Sequence, residues 1–223
     1  MKYLTQNFKD FFKELASNNN SEWFNSNRKR YEVEVKIPFQ KLVADVLKLI
    51  VKTDKNLSEL KISDCIFRIN RDIRFSKDKT PYKLQMSAAF APGGRKNMSY
   101  PGFYFEINPE EINIYSGVYM TDKNHLEQLR NHIASNNKTF EKLIKSDEFI
   151  KKFNGEILGE KQKRIDVKYK EIAEKQPLIF NKQFYFKATI DEKQITNDNL
   201  PKLLFEYYHA AMPICNFLYK ASK

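Results

Sequence analysis

Six basic side chains fall within the short segment 68–83, and their chemistry suits the binding of an anion. They are Arg68, Arg71, Arg74, Lys77, Lys79 and Lys83. An arginine guanidinium is a planar fork that matches a carboxylate or a phosphate, and a lysine ammonium adds a point charge. Asp72 and Asp78 oppose them, which leaves a net charge of +4. The charge pattern of segment 66–83 therefore predicts a site for a phosphorylated or carboxylated ligand. Further candidate ligand-binding residues are Ser76, Thr80 and Tyr82.

The same charges also allow a purely structural interpretation, in which they form ion pairs within the protein. The acidic partners would be Asp64, Asp72, Asp78 and Glu106. On a regular strand, Arg68 and Arg74 share one face and Arg71 lies on the other, so that only a bulge near Asn70 would let all three converge. The sequence leaves both interpretations open, and the two are compatible.

Asp72 and Asp78 support a third hypothesis, a Mg²⁺-dependent nuclease or phosphoesterase. Such enzymes hold the ion with carboxylates and often place a lysine beside it, and Glu106 on a neighbouring predicted strand would be a further ligand. These two aspartates are the candidate catalytic residues. The surrounding positive field lowers carboxylate pKa values and so favours hydrogen-bond or metal partners over general acids. Whether the chain is an enzyme stays open, and the sequence identifies no cofactor.

The composition limits the class of protein. The 223 residues are 41% hydrophobic and 14% aromatic, which excludes a disordered chain, and the net charge is +11. That charge permits contact with nucleic acid, so a nucleic-acid-binding module is the alternative function. Cys65 and Cys215 form no disulfide framework, which favours the cytoplasm. No apolar run approaches the ~18 residues of a membrane span. The sequence assigns no oligomeric state or pathway.

Hydrophobic periodicity predicts one α+β domain over residues 1–223. Apolar residues at helical spacing predict helices in 1–60, and alternation predicts antiparallel strands in 61–120. Helices with one further strand follow in 121–223. Short turns between consecutive strands require antiparallel pairing, and four to six strands are expected in all. The predicted strands cover residues 66–75, 83–91, 103–107, 112–119 and 181–190.

Residues 67–83, FRINRDIRFSKDKTPYK, closely resemble the signature of a bacterial family catalogued as domain of unknown function 2461. Other stretches also fit, among them Phe103–Ile107, Gly117–Met120 and Asn181–Tyr185, so the resemblance spans nearly the whole chain. It implies a single α+β domain without an established activity. The chain departs from the family at Gln176, where members often carry a histidine before the proline.

Overall fold

The computed structural model describes residues 3–97 and 99–221. Of the predicted domain 1–223, residues 1, 2, 98, 222 and 223 lie outside the described ones. Helices come first, strands follow, and further helices with one more strand complete the order. The fold is α+β with a four-stranded antiparallel sheet, as predicted. Within the described ranges, no helix has the length and apolar character needed to cross a membrane.

The helices and strands have the following bounds. The helices are α1 (Gln6–Ser17), α2 (Ser21–Ser26), α3 (Arg28–Arg30), α4 (Ile37–Thr53), α5 (Ile62–Cys65), α6 (Lys123–Ser135), α7 (Asn137–Ile144), α8 (Asp147–Phe153), α9 (Lys170–Lys175) and α10 (Leu200–Lys220). The strands are β1 (Met86–Phe90), β2 (Gly102–Ile107), β3 (Glu111–Val118) and β4 (Phe184–Asp191), and they lie side by side in that order.

The chain forms two compact units, each built from separate segments. The first comprises Met1–Arg95, Tyr104–Ile114 and Thr189–Phe205, and the second comprises Lys96–Phe103, Tyr115–Ala188 and Glu206–Lys223. The expectation of one domain stays a prediction. All the candidate site residues of segment 66–83 belong to the first unit.

Aromatic packing forms much of the core of the first unit. Phe8, Phe11, Phe12 and Leu15 recur at helical spacing on α1, and all four are buried. The ring of Phe11 contacts that of Tyr31, with centroids 5.7 Å apart. Burying these side chains contributes about 1.5–3 kcal/mol each, which fixes the helical layer beneath segment 66–83.

A π-helical turn, Tyr31–Lys36, joins α3 to α4. Pro38 lies in the first turn of α4, where its missing N–H costs no hydrogen bond. The backbone stays helical from Arg28 into α4, and the change from π-helical to α-helical hydrogen bonding falls just before Pro38. The wider π-turn gives the proline ring room against the preceding carbonyls.

Strands β2, β3 and β4 alternate buried residues with half-buried or exposed ones, as their sequence pattern predicted, whereas β1 is buried at four of its five positions. On β2 the side chains of Phe105 and Ile107 are buried, while Tyr104 and Glu106 point to the other face and are half-buried. β3 and β4 repeat this alternation. One face of the sheet is thus apolar, and the opposite face carries the polar side chains that matter for the site.

The second unit has its own aromatic cluster and a buried glutamine, Gln176. Phe149 and Phe153 pack edge-on against Phe186, with ring centroids 4.9 and 4.8 Å away. The amide nitrogen of buried Gln176 donates to the side-chain oxygen of Asn137 at 3.1 Å. Gln176 therefore has a structural role between α9 and α7.

The predicted strand over 66–75, with its bulge near Asn70, is wrong. Helix α5 ends at Cys65, and beyond it only Ile66 and Asn70 form isolated antiparallel bridges, to Ala88 and Tyr82. The second predicted strand, 83–91, is shortened to β1. Local pairing of Asp72 and Asp78 with arginines of their own segment turns the chain away from the sheet after Arg71.

Candidate functional site

Segment 66–88 forms an irregular antiparallel hairpin whose backbone bonds position the basic side chains. The amide of Phe67 donates to Ser87 O at 3.0 Å, and that of Lys83 donates to Ile69 O at 2.8 Å. A third bond runs from Arg71 N to Pro81 O at 2.9 Å. These bonds hold Arg68 and Lys83 at the base of the hairpin, where the charge of Arg68 acts on Lys83. Residues 72–80, here called the basic loop, extend beyond it.

Two of the predicted arginines are held by aspartates of the same segment. The guanidinium of Arg74 donates to both carboxylate oxygens of Asp72, at 2.9 and 2.7 Å. Arg71 forms an ion pair with Asp78 and also donates to the hydroxyl of Thr80. Arg68, Arg71 and Arg74 therefore do not converge, and part of the predicted salt-bridge web is present.

The aspartates are strongly stabilised in their charged form. The side-chain hydrogen bond from Arg74, with a backbone hydrogen bond, lowers the pKa of Asp72 to about 2. The backbone amide of Thr80, followed by the side chain of Arg71, lowers the pKa of Asp78 to about 2. Both carboxylates accept charge-assisted hydrogen bonds at neutral pH and are unsuited to act as general acids.

The remaining predicted ligands of the basic loop lie at its surface. Lys79 donates from Nζ to Ile73 O at 3.0 Å, and Ser76 N donates to the same oxygen at 3.3 Å. Lys77 is exposed, and the Ser76 side chain is half-buried. These side chains form an open surface around the loop, separate from the base of the hairpin.

Tyr82, predicted to contact the ligand, is instead a buried anchor. Its ring stacks on that of Phe24 with centroids 4.0 Å apart. The side chain of Asn19 clamps its backbone, since Nδ2 donates to Tyr82 O at 2.9 Å and Oδ1 accepts from Tyr82 N at 3.1 Å. Tyr82 thus ties the hairpin to the α1–α2 connection and fixes the backbone position of Lys83.

Arg68 and Lys83, here called the cation pair, form the best candidate site. Burial, and then the positive charge of Arg68, lower the pKa of Lys83, and Glu106 partly offsets both effects. Arg68 is exposed and Lys83 is half-buried. Within residues 3–97 and 99–221, neither side chain forms an ion pair with a carboxylate at salt-bridge distance. Two like charges held together in this way favour the binding of an anion.

Aromatic and polar side chains frame the cation pair. The ammonium of Lys83 lies 5.3 Å from the ring centroid of Phe67, a cation–π contact, and Phe67 packs edge-on against Tyr104. The Tyr104 hydroxyl donates to Glu106 Oε2 at 2.6 Å, and Gln85 Nε2 donates to the same oxygen at 3.4 Å. These two hydrogen bonds orient Glu106. Its carboxylate therefore accepts from neutral donors.

The geometry gives no support to the metal hypothesis. Asp72 and Asp78 are each held by an arginine, and Glu106 is bonded to Tyr104 and Gln85. In the part of the chain that the structure describes, no group of three His, Cys, Asp or Glu residues could hold a metal ion. Cys65 and Cys215 are buried free thiols, and desolvation raises the pKa of each to about 12. Both are poor nucleophiles.

Tyr119 belongs to the second unit. It is exposed and packs edge-on against Tyr185 with ring centroids 5.3 Å apart. Together with Met120, Lys123 and Lys182 it lines a cavity of about 390 Å³ in that unit.

Comparison with known families agrees with the resemblance of segment 67–83. A family model described as conserved hypothetical protein (DUF2461) matches residues 7–217. The chain belongs to this family. No curated protein and no solved structure matches it. Membership of DUF2461 thus supports the fold assignment and leaves the chemistry to the residues themselves.

Sequence reasoning missed three side chains that shape the site of this DUF2461 chain. Phe67 was assigned only to a strand face, although it precedes Arg68 and contacts Lys83. Asn19 lies in a run of three asparagines, and nothing in that run distinguishes it from its neighbours. Nothing in the sequence pointed to Gln85, because its partner Glu106 was expected to form an ion pair with the arginines. The alternation of Tyr104 and Glu106 on β2 was the available hint that both face the hairpin.

Proposed function

We propose that this protein binds the phosphoryl or carboxyl group of an anionic ligand at the cation pair, Arg68 and Lys83. The observation that carries the proposal is the position of half-buried Lys83 within the electrostatic reach of Arg68, where no carboxylate forms a salt bridge with either residue within the described ranges. An anion would remove the repulsion between the two charges. It would also accept hydrogen bonds from both.

The framing residues support a small anionic group at this position. Phe67 shields one side of the Lys83 ammonium, which weakens competition by water and strengthens the attraction to an anion. Tyr104 and Gln85 hold Glu106 by hydrogen bonds, so this carboxylate does not form a salt bridge with Lys83. Arg71 and Arg74 contribute to the surrounding positive field while they remain bound to their aspartates.

Pyrophosphate titration by isothermal calorimetry tests the proposal at constant ionic strength. We expect Arg68→Gln and Lys83→Gln each to weaken binding about tenfold or more, because a hydrogen bond to a charged group is worth roughly 1.5–3 kcal/mol. Arg74→Gln and Lys77→Gln remove the same charge from the basic loop and serve as matched controls. These should weaken binding less than about threefold.

Two results would count against the cation pair. Equal losses in all four variants would show that pyrophosphate senses only the general positive field. No measurable binding by the unmodified chain would remove the proposal altogether. The cytoplasmic location predicted from the cysteines stays a prediction, and no reaction is assigned to the site.

A further inference from the structure

Phe75 is the most exposed large hydrophobic residue of the described chain. Its side chain is 94% exposed at the tip of the basic loop. Scattered apolar residues on a surface are ordinary, but an almost fully exposed phenylalanine ring is uncommon in a protein whose other phenylalanines are largely buried. The residues around Phe75 indicate which kind of ligand its ring would contact.

The basic loop is braced from within, so the ring is held outward by an ordered turn. Arg71, Asp78 and Thr80 close its base through shared hydrogen bonds. Asp72 accepts two bonds from the Arg74 side chain, and Lys79 donates to Ile73 O at 3.0 Å. This bracing reduces the loss of conformational freedom when a ligand binds to Phe75.

Positive charge surrounds the ring and continues to the cation pair. The guanidinium carbon of Arg74 lies 5.8 Å from the centroid of Phe75. Asp72, which Arg74 binds, is also within the electrostatic reach of Arg68. Phe75 and Arg74 on the basic loop and the cation pair at the base therefore belong to the same hairpin of the first unit.

We infer that the anionic ligand is a single-stranded nucleic acid, with a base stacked on Phe75 and a phosphate held by Arg68 and Lys83. This inference rests on the proposed function, since it names the molecule whose phosphate the cation pair binds. Aromatic stacking beside cations is the general means by which proteins bind single strands, because every base offers a π-face. In a duplex the base faces are already stacked on one another and are inaccessible to Phe75.

The observations favour a nucleic acid over a protein or a lipid surface. Among residues 72–80, Phe75 is the single exposed large hydrophobic side chain. One ring is enough to stack one base, whereas a protein interface or membrane attachment generally requires a larger apolar area. The net charge of +11 adds the phosphate attraction that nucleic-acid binding requires.

Fluorescence anisotropy with an end-labelled thymidine strand of about 12 nucleotides tests the inference. We expect Phe75→Ala to weaken binding about 5- to 100-fold, and Phe75→Tyr to change it less than about threefold, because tyrosine retains the stacking face. Val167→Ala is the matched control, since Val167 is 72% exposed in the second unit, and it should leave binding unchanged. Unfolding in urea confirms that each variant folds.

The cation pair provides the second arm of the experiment. Arg68→Gln and Lys83→Gln should weaken strand binding and each reduce the slope of log affinity against log salt by about one. A duplex of the same sequence should bind more weakly and show no dependence on Phe75. Pyrophosphate titration of the same variants separates the two proposals.

Each contrary outcome has a definite meaning. Pyrophosphate binding through the cation pair without strand binding overturns this inference and leaves the proposed function standing. Absence of both overturns both. Strand binding that ignores Phe75, or equal binding of duplex, overturns the stacking role. Phe75-dependent binding to vesicles of anionic lipid without strand binding would assign the loop to a membrane surface instead.

Discussion

Burial, and then the positive charge of Arg68, lower the pKa of Lys83 at the base of the hairpin. The charged form of Lys83 is therefore less stable there than it would be in water. The ring of Phe67 and the partly shared charge of Glu106 offset this cost only in part. Groups whose pKa is shifted by burial and by a specific charged neighbour cluster at functional sites. The cation pair is therefore the part of the DUF2461 chain to which we assign ligand binding.

The affinity for sulfate should depend on pH through Lys83. Lys83 binds the anion as an ammonium, and its pKa lies below the ordinary value of 10.5. Affinity should therefore be constant near neutral pH and should fall as pH rises through the lowered pKa, before ordinary lysines lose their protons. Calorimetry between about pH 7 and about pH 10 checks this, because sulfate keeps a constant charge over that range.

The Lys83→Arg variant is the control for this pH dependence. A guanidinium stays protonated throughout the range, so the variant should bind sulfate without the decline. A decline of equal size in the variant would show that another group is responsible.

Asn19 should stabilise the hairpin from a distance in sequence. Asn19→Ala removes both hydrogen bonds to the backbone of Tyr82 and should lower the free energy of unfolding by about 1–3 kcal/mol. Urea unfolding measures this change. Asn18→Ala is the comparison, because the Asn18 side chain donates to the exposed carbonyl of Glu14 in its own helix, and the change should cost less than about 0.5 kcal/mol. If the two variants lowered the free energy of unfolding by similar amounts, Asn19 would not act as a clamp on the hairpin.

Asp78 should govern the order of the basic loop. Asp78→Asn weakens the brace to Arg71 and Thr80, so the amides of residues 72–80 should exchange faster and trypsin should cleave sooner after Lys77 and Lys79. Hydrogen-exchange mass spectrometry measures the first effect. Asp64→Asn removes an equal charge outside the loop and should leave exchange in 72–80 unchanged. Unaltered exchange in Asp78→Asn would contradict the brace.

Gly94 should resist any substitution. Its φ is +69°, and an added Cβ would lie 2.4 Å from Asp64 O. Gly94→Ala should therefore cost about 1–3 kcal/mol or more of unfolding free energy, because the backbone at α5 must shift. Gly155 has a similar φ of +70°, but its added Cβ would lie 3.2 Å from a side-chain atom. Gly155→Ala should therefore cause the strain of a positive φ without a collision with backbone atoms. Thermal unfolding measures both variants, and equal losses of stability would show that the collision at Gly94 has no effect.

Periodicity was enough to predict most of the fold. The phenylalanines of α1 and the alternation on β2, β3 and β4 reflect burial of one face, and each element was predicted near its observed bounds. Segment 66–75 is the exception, because its apolar residues alternate with charged ones but it does not form a strand. Apart from the bridges of Ile66 and Asn70 the segment is unpaired with the sheet, and the charged residues bond within the segment, Arg74 to Asp72 and Arg71 to Asp78.

The site was only partly predictable for a related reason. Charge density located segment 66–83, but it did not distinguish arginines held by aspartates from Arg68, which has no such partner among the described residues. That distinction depends on which side chains the hairpin brings together. The sequence also placed Tyr82 among the ligands, whereas packing against Phe24 buries its ring.

Selenate soaked into crystals of the protein tests the central claim most directly, because the anomalous signal of selenium locates the anion without prior assumptions. We expect an anomalous peak between the Arg68 guanidinium and the Lys83 ammonium, and its loss in crystals of Arg68→Gln. Peaks confined to Arg74, Lys77 or other exposed cations, with none at the cation pair, would contradict it.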